Sequence, residues 1–108
     1  MNKRIRKKKG LSKIKDEELW GLDVTLAKYI LPRLKKFKEK NTMSHPVSFG
    51  NKEEWHSVID KMIYSFDYVL KHDLGKLDKL STKDKKEYHE RYKEGMDLFA
   101  KHFMDLWD

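Results

Sequence analysis

Trp55, Val58, Ile59, Met62, Ile63, Phe66, Val69 and Leu70 recur at three- and four-residue steps, and no segment alternates apolar and polar residues in a comparably sustained way. A stripe of that period, about four helical turns long, buries one side of a helix, so the chain has to fold by packing helices against one another. Asn51 stands three residues before Glu54, a capping-box pair that starts this helix.

Two more helical patterns flank it. The first is predicted from Asp16 to Lys40, with Asp16, Glu17 and Glu18 in its opening turn, where carboxylates favour the positive end of the helix dipole. Its apolar stripe is Leu19, Leu22, Leu26, Tyr29, Ile30, Leu34 and Phe37. Pro32 removes the hydrogen bond to the Lys28 carbonyl, which predicts a kink or break near Tyr29 to Pro32. Asn41 to Gly50 reads as a loop, and Asp73 to Leu80 as a loop or one short turn. Ser81 or Thr82 caps a third helix reaching about Trp107, with a stripe of Tyr88, Tyr92, Met96, Phe99, Phe103, Leu106 and Trp107. Gly95 interrupts that stripe at a cost of about 1 kcal/mol relative to alanine, which marks a close approach of another backbone.

The expected fold is therefore all-α, a small three-helix antiparallel bundle over residues 16–108 behind a disordered basic tail, residues 1–15. In such a bundle the basic end of the first helix (Arg33, Lys35, Lys36, Lys38, Lys40) lies beside Asp105 and Asp108. Those acids oppose the dipole of the third helix and need a compensating partner.

Charge sharpens the division. The chain carries 25 Lys and Arg against 18 Asp and Glu over 108 residues, but eight of those cations and none of the acids fall in the first 15. The remaining 93 residues hold 17 basic and 18 acidic side chains. The tail residues Lys3, Arg4, Arg6, Lys7, Lys8 and Lys9 are candidates for salt-dependent, sequence-indifferent contact with phosphate, with a merely solubilising role as the alternative. The tail lacks the apolar run of a signal peptide, and no segment approaches the roughly 18 apolar residues of a membrane span. Cysteine is absent, which excludes disulfides, thiolate metal sites and cysteine nucleophiles.

No phosphate-loop, dinucleotide-binding, nucleophile-elbow or zinc-protease motif is present. Glu53-x-x-His56 has the spacing of a bundle metal site but occurs once, so it reads as a solvated helix cap. His56 with Asp60 and His102 with Asp105 can each meet on a helix surface, yet neither has a nucleophile or oxyanion donor beside it. No catalytic residue, metal or cofactor is expected. Aromatic residues are 12% of a chain that is 40% charged. Most of them belong to the core, but Tyr64 and Tyr68 fall off the main stripe and Phe49 lies in a loop. With Arg33, Lys36 and Lys40 on one helical flank, Tyr64 and Tyr68 are the candidate ligand- or partner-binding residues: rings that stack a base or grip a protein, cations that pair with phosphate.

The segment from Trp20 through Ile30-Leu-Pro-Arg-Leu-Lys35, then Trp55 with Asp60-Lys-Met-Ile63 and Phe66, then Glu94-Gly-Met-Asp-Leu-Phe-Ala-Lys-His-Phe-Met-Asp-Leu-Trp-Asp108, resembles a family of small uncharacterised proteins of tailed bacteriophages. The resemblance spans roughly residues 19 to 108. It implies a viral accessory protein in the cytoplasm of a bacterial host and, by analogy with other small phage proteins, an antagonist of host defence. The expectation is a non-enzymatic binding protein that blocks or sequesters a defence component, either an anionic nucleotide or nucleic acid or a host protein. The alternatives are a nucleic-acid-binding or ribosome-associated protein working through its tail, and a structural homo-oligomer.

Overall fold

The computed structural model describes residues 13–41, 45–46 and 49–107. The candidate phosphate-binding residues Lys3 to Lys9, and Asp108, lie outside the described residues.

Among the described residues four α-helices form: α1 (Glu17–Trp20), α2 (Leu22–Lys40), α3 (Lys52–Asp73) and α4 (Thr82–Lys101), followed by a 3-10 turn at Phe103–Asp105. The described residues contain no strand. Caps explain where α3 and α4 begin. The Asn51 side chain accepts from the Glu54 N–H at 2.8 Å, and the Glu54 carboxylate accepts from Gly50 N–H at 3.0 Å. Ser81 Oγ accepts from the Asp84 N–H at 3.1 Å. Each such cap contributes about 1 kcal/mol.

The three long helices pack as expected in sense but not in closure. Lys38–Asp60 at 2.7 Å and His56–Asn41 place α2 antiparallel to α3. Lys61–Glu94 at 3.1 Å and the Trp55–His102 ring contact do the same for α4. The exposed ion pairs contribute less than about 1 kcal/mol each, so burial holds the helices together. Trp55, Ile59, Met62 and Phe66 of α3 form the centre of the core with Ala27, Leu31 and Leu34 of α2, while Met96 and Phe99 of α4 pack against them. Fully burying each large member stabilises the fold by about 1.5–3 kcal/mol. No Cα of α2 comes within 8 Å of one in α4. The helix α3 lies between them because its apolar stripe is wide enough to receive a neighbour on either side.

The α3–α4 seam is tight at one point. A Cβ on Gly95 would overlap Ser65 Oγ and the Lys61 carbonyl. Ser65, fully buried, donates to the Tyr92 carbonyl across the seam at 2.8 Å. Gly95 is thus the close-approach glycine its position in the stripe predicts.

Three expectations are corrected. The first helix breaks at Gly21 and runs unbroken through Pro32. Pro32 is on the exposed side, so the Lys28 carbonyl it frees does not face a packed core, and the neighbouring Tyr29 carbonyl accepts from the Arg33 side chain at 2.9 Å. The third helix stops at Lys101, because the chain tightens into the 3-10 turn where His102 binds Asp105. The anticipated pairing of Arg33 with the C-terminal acids is absent among the described residues: Asp105 is held by His102 at 2.9 Å, and Arg33 lies 3.6 Å over the Tyr29 ring.

Candidate ligand cleft between α3 and α4

The sharp reversal after α3 positions the cleft. Lys76 N–H reaches the Lys71 carbonyl and Gly75 N–H the His72 carbonyl, a Schellman ending with Gly75 at a φ of 73°. A side chain there is strained, so glycine lets the chain fold back and bring Lys76, Leu77 and Leu80 over the end of the seam. Tyr64, Tyr68 and Lys71, at i, i+4 and i+7 of α3, form one wall, and Tyr88 and Arg91 of α4 form the other. The space enclosed is about 340 Å³.

Ring geometry fixes the walls. Tyr64 and Tyr88 meet edge to face at 6.5 Å, and Tyr68 stacks on Tyr92 at 4.9 Å with 23° between planes. Burial raises the Tyr64 phenol above its ordinary pKa, and the positive charge of Arg91 opposes part of that rise. The side-chain hydrogen bond to Asp67, 2.9 Å away, raises the ammonium pKa of Lys71, and the Asp67 charge adds to the effect. With Asp67, the one lining acid, paired to Lys71, the charges of Lys76 and Arg91 are left in excess along the cleft. A neighbouring hollow of about 300 Å³ shares Tyr64 and Arg91 and extends the groove along the seam.

The structure splits the site expected from sequence. Tyr64 and Tyr68 line the cleft, but Arg33, Lys36 and Lys40 sit on α2, which does not approach α4. The cations that accompany the tyrosines are Lys71, Lys76 and Arg91. Spacing could have suggested Lys71, three residues beyond Tyr68; Lys76 and Arg91 come from other elements and have no local signal. Phe49, expected to be free in a loop, is half-buried, with its ring 5.6 Å from Trp55 and 5.1 Å from His102.

The histidine pairs also divide. His56 Nε2–H donates to the Asn41 carbonyl at 3.0 Å and does not pair with Asp60, which holds Lys38. The His102–Asp105 pair forms, with His102 buried and the Asp105 side chain 40% exposed, so the contact is a part-buried end-of-helix bond. Beside it a hollow of about 100 Å³ is lined by His45, Pro46, Trp55, Asp105 and Trp107. Among the described residues no three His, Asp or Glu side chains cluster as a metal site requires, and no helix is long and apolar enough to cross a membrane.

Fold and cleft define the class of the molecule: an all-α protein of three main helices with a cationic, tyrosine-lined groove. The chain matches no protein-family model, no curated protein and no solved structure.

Proposed function

We propose that the protein acts by binding, without catalysis, and that the α3–α4 cleft holds an anionic ligand carrying a flat ring, a nucleotide or a short stretch of nucleic acid. One observation carries this reading: three phenol rings converge with Lys76 and Arg91 on about 340 Å³ whose one lining acid, Asp67, is already paired with Lys71. A base stacked on a tyrosine gains about 1–3 kcal/mol, and Arg91 offers the planar fork that suits phosphate. In the viral setting implied by the resemblance, the role is to withhold such a ligand from a host defence component.

Calorimetry and thermal unfolding with adenosine and guanosine mono-, di- and triphosphates, a cyclic nucleotide, inorganic phosphate and a single-stranded oligonucleotide test this. A ligand at about 100 times its Kd stabilises the fold by about 2.7 kcal/mol, a rise of several degrees in Tm. Arg91→Ala and Tyr68→Ala should each weaken binding by about tenfold or more, while Lys36→Ala and Lys40→Ala leave it unchanged. A flat response to every probe overturns the proposal. Oligonucleotide binding that vanishes on deletion of residues 2–10, with the cleft variants unaffected, transfers the contact to the tail.

A further inference from the structure

We propose that two copies of the chain pair through the exposed apolar face of α1 and α2, antiparallel and about a two-fold axis. This inference is independent of the cleft. The helix α2 carries two apolar stripes. Ala27, Leu31 and Leu34 meet α3, whereas Leu22, Leu26 and Tyr29, at i, i+4 and i+7, point elsewhere and are 47%, 49% and 60% exposed. Just ahead of them Leu19 is 57% and Trp20 78% exposed. The Thr25 hydroxyl donates to the Glu18 carbonyl at 3.0 Å, which ties α1 to the start of α2 and holds these two residues at the end of the stripe.

The five side chains expose on the order of 600 Å² between them, the upper end for a monomer's largest apolar patch and close to the roughly 800 Å² per partner of a standard interface.

Charge selects the occupant. Within the helices, residues 16–23 carry Asp16, Glu17, Glu18 and Asp23 with no cation, behind the basic residues 1–15, whereas residues 33–40 carry Arg33, Lys35, Lys36 and Lys40, beyond the Lys38 already paired with Asp60, against Glu39 alone. A second copy laid antiparallel sets each acidic end against the other's basic end, while a parallel copy opposes like charges. Arg33, stacked on Tyr29, stands at the border of the stripe where the partner's acidic end arrives.

Sedimentation equilibrium of the full chain should show a monomer–dimer equilibrium below about 200 µM. Leu26→Glu, at an exposed position, should raise the dimer Kd by at least about tenfold with helicity by circular dichroism unchanged. Spin labels on Lys40→Cys should lie on the order of 40 Å apart in an antiparallel dimer centred near Leu26. A chain monomeric throughout, a dimer indifferent to Leu26→Glu, or labels within about 20 Å of each other would each overturn the proposal. So would a monomer that sediments with phosphatidylserine vesicles and loses that binding in Leu26→Glu.

Discussion

Gly95→Ala pits helix propensity against packing. In an isolated helix the substitution is favourable by about 1 kcal/mol. Here the new Cβ meets Ser65 Oγ and the Lys61 carbonyl. The hydroxyl can rotate away, but the carbonyl belongs to the α3 backbone, so α3 and α4 must separate. Overpacking of this kind costs about 1–3 kcal/mol. Moving Ser65 also breaks its 2.8 Å bond to the Tyr92 carbonyl and leaves a buried hydroxyl to be satisfied, a further 1–3 kcal/mol or so. After subtracting the propensity gain, Gly95→Ala should destabilise the fold by about 1–5 kcal/mol and lower Tm by roughly 4–8 °C for each kcal/mol lost. Urea unfolding followed at 222 nm measures it, with Ala100→Gly at an exposed site of the same helix as the comparison. That change, in the last turn of α4, should cost no more than about 1 kcal/mol from propensity alone. A Gly95→Ala variant as stable as the parent, or more so, would show that the seam is looser than described and refute the reasoning.

Other positions give independent checks. Asn51→Ala removes the acceptor for the Glu54 N–H and should cost about 1 kcal/mol in urea unfolding, with Asn51→Asp nearly neutral. Met62→Ala empties a fully buried site at the centre of the core and should cost about 2–5 kcal/mol; a loss below 1 kcal/mol or so would mean the site is not packed. Because the Tyr64 phenol pKa is raised in the folded chain, the unfolded chain releases this proton first. The group therefore leaves stability untouched below the ordinary value of 10.0 and erodes it as pH rises through that range. Tyr64→Phe should shallow the fall of the urea midpoint between about pH 9.5 and 11, and an unchanged slope would remove burial of Tyr64 from the account.

Half of the candidate cleft is legible in the sequence. Tyr64 and Tyr68 stand off the main stripe of α3, and an off-stripe ring on a highly charged helix is a visible anomaly. Their cationic companions were not legible, since Arg91 and Lys76 lie beyond a chain reversal and no spacing rule spans one. Arg33, Lys36 and Lys40 looked like companions because they share a helical flank, but that flank belongs to a helix packed on α3 without reaching α4.

The sequence by itself determined the all-α fold, the starts of α3 and α4, the buried face of α3 and the tight approach at Gly95. Each follows from interactions spanning three or four residues, or from a periodicity that holds whatever the neighbours are. Only the tertiary structure decided which of the two stripes of α2 is buried. Leu22, Leu26 and Tyr29 are as apolar as Ala27, Leu31 and Leu34, and what separates them is the direction from which α3 arrives. It also decided that the chain breaks at Gly21 and not at Pro32: the cost of an interior proline depends on whether the freed carbonyl faces the exposed side or a packed core, and packing sets that.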